Sequence, residues 1–279
     1  MDSKKTWFVT GASKGLGMSL VRELLESGYQ VAATSRNKQA LIDSIGGKNE
    51  DFLPISMDLV QNAHVKESID KAISHFGAID IVVNNAGYGQ IGALEELNDS
   101  EVKENYDVNV FGSLNVIRNV APYLRKQRSG HIFNISSIGG YVGNFAGFGI
   151  YCSTKFAVAG LTEALAEEMR PFNVHTTLVY PGYFRTNFLS KGSVRTPSNP
   201  IREYKSARDM EQTHLNDIDG SQPNDPEKAA KVLITLSEME APPVHFFMGK
   251  DAHQYAGIKI EAVQKAMEKN RVLGMSTGF

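Results

Sequence analysis

The chain has 279 residues, enough for one α/β unit that buries a continuous sheet, and its 42% hydrophobic and 22% charged residues exclude disordered and fibrous classes. Twenty-nine basic against thirty-one acidic residues leave a formal charge of −2, which gives no electrostatic ground for nucleic acid or an anionic membrane as main partner and points to a small molecule. Cys152 is the only cysteine, so no intrachain disulfide is possible. With no secretory apolar core behind Met1 and no run near the ~20 apolar residues that span a bilayer, a cytoplasmic protein is expected.

Short apolar runs at 6–10, 30–35, 51–57, 79–84, 131–136, 174–180 and 244–248 alternate with stretches of helical period. That alternation predicts a doubly wound parallel sheet of seven strands covered by helices. At the end of the first strand, Thr10-Gly11-Ala12-Ser13-Lys14-Gly15-Leu16-Gly17 leads into a helix with Leu16, Leu20, Leu24 and Leu25 on one face. Glycines there let the backbone approach a pyrophosphate, and a helix start offers free amides and a positive dipole end. No Gly-Lys-Ser/Thr closes the turn, so it is not a Walker loop.

The second strand ends in Thr34-Ser35-Arg36-Asn37. A carboxylate there would accept from an adenosine ribose 2′-hydroxyl; instead Arg36, with Lys14 approaching from the glycine turn, suits a 2′-phosphate and favours NADP over NAD. The next helix repeats Ile69, Ala72, Ile73 and Phe76 on one face, and 99–127 reads as one long helix.

Tyr151 and Lys155 then stand four apart, on one face of a helix whose packing face is Leu161, Ala164, Leu165 and Met169 and which ends near Pro171. A cation beside a phenol favours the phenolate and makes the hydroxyl usable for proton transfer at neutral pH. Ser137 lies fourteen residues upstream, next to Ser136 as an alternative, and Cys152, in the helix beside Tyr151, reads as packing. Tyr141, Phe145, Phe148, Tyr183 and Phe188 cluster around these motifs and are expected to line an apolar pocket. The stretch 186–225 is a polar insertion with a helix near 201–215; Asp225-Pro226-Glu227 opens a further helix, and 254–269 is a last amphipathic one. The organisation expected is one catalytic domain, 1–279, with a substrate-lid insertion at 186–225 and a C-terminal extension at 249–279.

In this order the motifs resemble the short-chain dehydrogenases/reductases along nearly the whole chain. Thr10 to Gly17 resembles the family's glycine motif, Asp58 its adenine-contacting acid, Asn84-Asn85-Ala86-Gly87 its central-strand motif, Asn109 its helix asparagine, and Pro181-Gly182-Tyr183-Phe184-Arg185-Thr186 its Pro-Gly segment. The resemblance implies a Rossmann-type fold and a hydride exchange with NADPH. It implies Tyr151 as general acid/base, Lys155 as its modifier and ribose ligand, Ser137 as holder of the substrate oxygen, and Asn109 as positioner of a water that links Lys155 to solvent.

Cofactor contacts are implied at Gly11, Ser13, Lys14, Gly15, Leu16, Gly17, Ser35, Arg36, Asp58, Leu59, Asn85, Ala86, Gly87, Tyr151, Lys155, Pro181, Gly182, Phe184 and Thr186, with no metal. The sequence is similar to the 17β-hydroxysteroid and retinol dehydrogenase subgroup, which implies a bulky apolar alcohol, ketone or aldehyde as substrate. A homodimer or homotetramer built through the helices carrying Asn109 and Tyr151 is implied as well. Two departures stand: Ser137 and Tyr151 are one residue further apart than is usual, and the chain is long beyond the last strand. The alternatives are a non-catalytic NADP-sensing regulator and an epimerase or dehydratase of the extended relatives.

Overall fold

Trp7, Phe8 and Val9 set the first strand and the two faces it divides. In the computed structural model, which describes residues 4–46, 50–190 and 193–279, β1 (Thr6–Val9) is wholly buried. Trp7 and Val9 enter one core and Phe8 the other, as the two-residue period of a strand requires. The first three residues, and Lys191 and Gly192 within the expected insertion, lie outside the described residues.

From β1 the chain moves outward through α1 (Gly15–Glu26), β2 (Gln30–Ser35), α2 (Lys38–Ile45) and β3 (Phe52–Ser56). It returns through α3 (Asn62–Phe76) to β4 (Ile81–Asn84), beside β1, and passes a short β5 (Gly89–Gln90). It then goes outward on the other side through α4 (Asp99–Tyr106), α5 (Ser113–Gln127), β6 (Gly130–Ile135), α6 (Gly149–Met169) and β7 (Val174–Pro181). After β8 (Val194–Arg195), α7 (Lys205–Gln212) and α8 (Pro226–Glu238) come β9 (His245–Met248), α9 (Lys250–Lys269) and α10 (Arg271–Met275).

The large sheet has the order β3-β2-β1-β4-β6-β7-β9, and every pairing in it is parallel. This is the Rossmann-type doubly wound α/β fold, and each of the seven expected runs supplies a strand. One core holds Trp7, Val9 and Phe133 under Leu20 and Leu24 of α1 and Leu233 of α8. The opposite core holds Phe8, Ala32 and Ile132 under Ile69 of α3, Val116 of α5 and Leu165 of α6.

Four local expectations need correction. The predicted helix 99–127 is continuous but contains a π-helical turn, Asp107–Gly112, between α4 and α5. Gly112 there lies so close to α3's approach that a Cβ would stand 3.0 Å from the Leu59 Cβ. Ala164 is exposed, because α6 turns Val158, Thr162, Leu165 and Met169 inward instead. The helix expected near 201–215 in the insertion is α7, which starts only at Lys205 and runs into a second π-helical turn, Thr213–Ile218, and the insertion also carries β8, paired in parallel with β5. The last amphipathic helix begins four residues earlier than its periodicity indicates, directly after Gly249, which turns the chain with φ of 108°.

Because crossovers leave β1 and β4 in opposite directions, their carboxyl ends diverge and open a crevice, which is where open α/β sheets bind ligands.

Candidate active site

The β1–α1 turn is laced to the turn after β4. Asn85 donates from Nδ2 to the carbonyls of Thr10 (3.0 Å) and Gly11 (3.1 Å), while Thr10 Oγ1 accepts from the amides of Asn85 (3.0 Å) and Ala86 (3.1 Å). Glycine is needed at Gly11, where φ is 65° and a Cβ would lie 2.7 Å from the Ala86 Cα. At Gly17 a Cβ would lie 2.5 Å from Asn85 Nδ2, so this glycine serves close packing of α1 on the turn and does not line the cleft. No side chain caps the start of α1, which leaves its first amides to the crevice.

A single cleft of about 520 Å³ runs from this turn along the carboxyl ends of the strands. At one end Ser35 donates to Ser13 (3.2 Å), and Arg36 and Lys14 border the same space. Burial and then the positive charge of Arg36 hold the Lys14 ammonium below its ordinary value, so the two cations are close. Asp58 and Leu59 form the adjoining wall; Asp58 accepts from the Val60 amide (3.2 Å) in a local turn and is not the cap of α3, whose flanking residue is Gln61. Gly15, Leu16, Ala86, Gly87, Pro181, Gly182, Phe184 and Thr186 complete the lining.

At the other end α6 brings Tyr151 and Lys155, both buried, to the same wall as Ser137, which follows β6. The neighbouring serines divide. Ser136 donates to the Lys155 carbonyl (3.1 Å), whereas Ser137 accepts from the Gly139 amide (3.0 Å) and stands near enough to Tyr151 to oppose the rise of its hydroxyl. Ser137 is therefore both a turn cap and the serine at the tyrosine.

Lys155 donates to the Ile135 carbonyl (3.0 Å), and its Nζ stands 5.9 Å from the Tyr151 ring centroid. The sequence reading has Lys155 drawing Tyr151 toward phenolate, but in the folded site burial dominates. It pushes the Tyr151 hydroxyl up, with Ser137 opposing, and lowers Lys155 to about 8. Both groups disfavour charge in the same desolvated corner.

Asn109 does not reach the cleft. From the π-helical turn its Oδ1 accepts from the Tyr88 amide (3.0 Å), and its Nδ2 donates to the Tyr88 carbonyl (3.0 Å) and Thr154 Oγ1 (3.1 Å). Gly87 fits between Asn109 and Lys155: a Cβ there would meet Asn109 Oδ1 at 3.0 Å and Lys155 Nζ at 3.4 Å. Cys152 is buried packing, and burial raises its thiol to about 12.

Beyond Tyr151 the wall becomes aromatic. Phe145, Phe148, Tyr183 and Phe188 line the cleft as expected, with Leu189 added. Tyr141 does not; it packs edge-on against Tyr180 (5.7 Å) and Phe247 (5.1 Å) in the core under α9.

The model of the family described as short chain dehydrogenase matches residues 5–195. The chain belongs to the short-chain dehydrogenase family. Across 98% of its length this dehydrogenase is 34% identical to oxidoreductase BOA17 of Botryotinia fuckeliana, covering 99% of that protein. It is 38% identical to a 3-ketodihydrosphingosine reductase of Bacteroides thetaiotaomicron, over 70% of each chain. A solved short-chain dehydrogenase from Streptomyces avermitilis superposes with a TM-score of 0.91 at 31% identity, over 100% of both chains.

Several residues of this dehydrogenase's site gave no signal in the sequence. Asp251, at the start of α9, accepts from the Tyr183 amide (2.6 Å) and from Asn224 Nδ2 (2.7 Å), which also donates to the Tyr183 carbonyl (2.8 Å). The C-terminal extension thus clamps the Pro181-Gly182 segment, and a side chain on Gly182 would collide with Asp251. Tyr183 is hydrogen-bonded to His214, and Arg195 stacks over the Tyr88 ring while pairing with Glu104. These partners lie 27 to 107 residues apart, and no periodicity or motif links them.

Proposed function

We propose that this oxidoreductase is NADP(H)-dependent and interconverts an alcohol and a ketone or aldehyde on a bulky apolar substrate, with Tyr151 as general acid/base. The observation that carries the reading is that one cleft joins the Lys14–Arg36 cation pair to the Ser137–Tyr151–Lys155 corner and then to an aromatic wall. The residues present fit a phosphorylated dinucleotide. Gly11 and Gly15 keep the turn clear of side chains, α1 presents uncapped amides, and Lys14 and Arg36 bring two positive charges together beside it. When bound, the nicotinamide supplies or takes the hydride.

The chain's own part is positional and protonic. Ser137 holds the carbonyl oxygen beside the Tyr151 hydroxyl, and Tyr151 gives that oxygen its proton, or takes one from an alcohol in reverse. Because burial raises the Tyr151 hydroxyl, donation to a developing alkoxide is matched to it, and the Lys155 cation steadies the phenolate that results. Asn109 acts behind this corner, fixing the backbone of Tyr88 and, through Thr154, the helix that carries Tyr151. Cytoplasmic location, assembly as a homodimer or homotetramer, and a single domain with a lid at 186–225 belong to the same proposal. Among the described residues no helix is long and apolar enough to cross a membrane.

The experiment is a panel of ketones, aldehydes and steroids followed by NADPH absorbance. Oxidation of NADPH with at least one bulky carbonyl is expected. Cofactor binding without turnover of any compound would replace the reading with a nucleotide sensor, and product formation without net NADPH change would point to an epimerase.

A further inference from the structure

His214 is the polar member of an otherwise apolar face. On α7 and the π-helical turn after it, Met210, Leu215 and Ile218 pack with Phe148, Leu189 and Tyr151, and His214 lies among them with its ring 4.6 Å from that of Phe148. Its Nδ1 is 2.8 Å from the Met210 carbonyl, and a carbonyl can only accept, so the proton is on Nδ1. Burial holds the imidazole below its ordinary value, hence neutral, which makes Nε2 an acceptor. At 2.9 Å the Tyr183 hydroxyl must then be the donor.

That assignment fixes what Tyr183 can offer. Its proton is committed to His214, its oxygen keeps lone pairs, and no other hydrogen bond to this hydroxyl exists among the described residues. Both rings line the cleft that holds Tyr151; burial raises the Tyr183 hydroxyl, and Tyr151 is near enough to add to that rise. The root of Tyr183 is rigid, because Asp251 and Asn224 hold its amide and carbonyl without help from the ring. A polar pair oriented this way in an aromatic wall discriminates strongly, since a substrate lacking the matching group leaves a buried acceptor unpaired.

We propose that the Tyr183–His214 pair is a second recognition point, accepting a hydrogen bond from a hydroxyl carried elsewhere on an apolar substrate, so that the preferred substrates are hydroxy-ketones and, in reverse, diols. The proposal rests on the carbonyl–alcohol reading above for what happens at Tyr151, but its own content is binding.

The test uses deoxybenzoin, benzoin and benzil, which share one skeleton and carry respectively no second oxygen, a hydroxyl and a second carbonyl, together with a phenyl ketone and its para-hydroxy counterpart for a more distant hydroxyl. Affinities are measured by calorimetry on the full chain, with turnover followed separately. One hydroxyl position is expected to tighten binding about tenfold over its deoxy partner, and Tyr183→Phe should bring that ratio to about one. His214→Phe, which frees the Tyr183 proton, should shift the preference from benzoin toward benzil. Equal affinity within both pairs, or an equal loss for hydroxylated and deoxy compounds in Tyr183→Phe, would overturn the proposal. A preserved hydroxyl preference with no turnover of any ketone would leave the pair's role standing and sink the carbonyl-reduction reading instead.

Discussion

Replacing Arg36 by Asp probes which dinucleotide the far end of the cleft selects. Removing the guanidinium forfeits charge-assisted hydrogen bonds to a 2′-phosphate, worth about 1.5–3 kcal/mol. The new carboxylate adds a repulsion of roughly 1 kcal/mol at contact in water-like surroundings. The sum, about 2.5–4 kcal/mol, corresponds to roughly 70- to 900-fold weaker NADPH binding. Arg36 is exposed, and Lys14, whose ammonium burial and then Arg36 hold down, loses the second of these, so the lower half of that range is expected. NADH has no 2′-phosphate to lose, and its 2′-hydroxyl can donate to the new carboxylate, so its affinity should hold or rise. Fluorescence titration of both cofactors against both proteins is the assay. Parallel losses for NADPH and NADH would remove the 2′-phosphate argument.

The depressed Lys155 carries a pH prediction with a definite sign. Burial lowers it to about 8, so its cation is present below that pH and lost above it, and kcat/KM for carbonyl reduction should fall as pH rises through about 8; a profile flat across that range would rule out a role for the charge. The insertion is held to the body by Glu96, whose buried carboxylate accepts from the Ala93 (2.6 Å) and Ile201 (2.7 Å) amides and pairs with Arg208 at 2.7 Å. Glu96→Gln should cost about 1–3 kcal/mol in urea unfolding and speed proteolysis within 193–218, and an unchanged cleavage pattern would show that other contacts suffice to hold the segment.

The strands were legible because each is a short apolar run between turn residues, and burial on both faces makes that pattern almost independent of neighbours. Trp7-Phe8-Val9 needs no tertiary information to be read as a strand. The glycine turn was legible for a similar reason, since glycine at Gly11 is demanded by an approach to Ala86 that the local motif implies. Less legible is which way a side chain points when two environments accept it. Tyr141 is as suited to the core beside Phe247 as to the pocket, and Ala164 is small enough for either side of α6.

The π-helical turn at Asp107–Gly112 leaves the helical pattern intact to within one residue, so periodicity passes over it, although it is what aims Asn109 at Tyr88. The Tyr183–His214 and Asp251–Asn224 partners are products of the insertion and the tail folding onto the sheet. Tyr183 is marked by its motif, but His214, Asn224 and Asp251 are ordinary residues until the fold brings them to Tyr183. The direction of the Tyr151 shift was out of reach for another reason: spacing on a helix reports proximity to Lys155 but not burial, and burial proved the larger effect.

Tyr151→Phe tests the proton-donating role proposed for Tyr151 most directly, because only the hydroxyl is removed from a buried ring that packs between Phe148 and Phe188. With a ketone that the wild-type protein reduces, kcat should fall about 10²- to 10⁴-fold while the dissociation constant for NADPH, measured by fluorescence, stays within about twofold. Turnover retained at the wild-type rate would contradict the account.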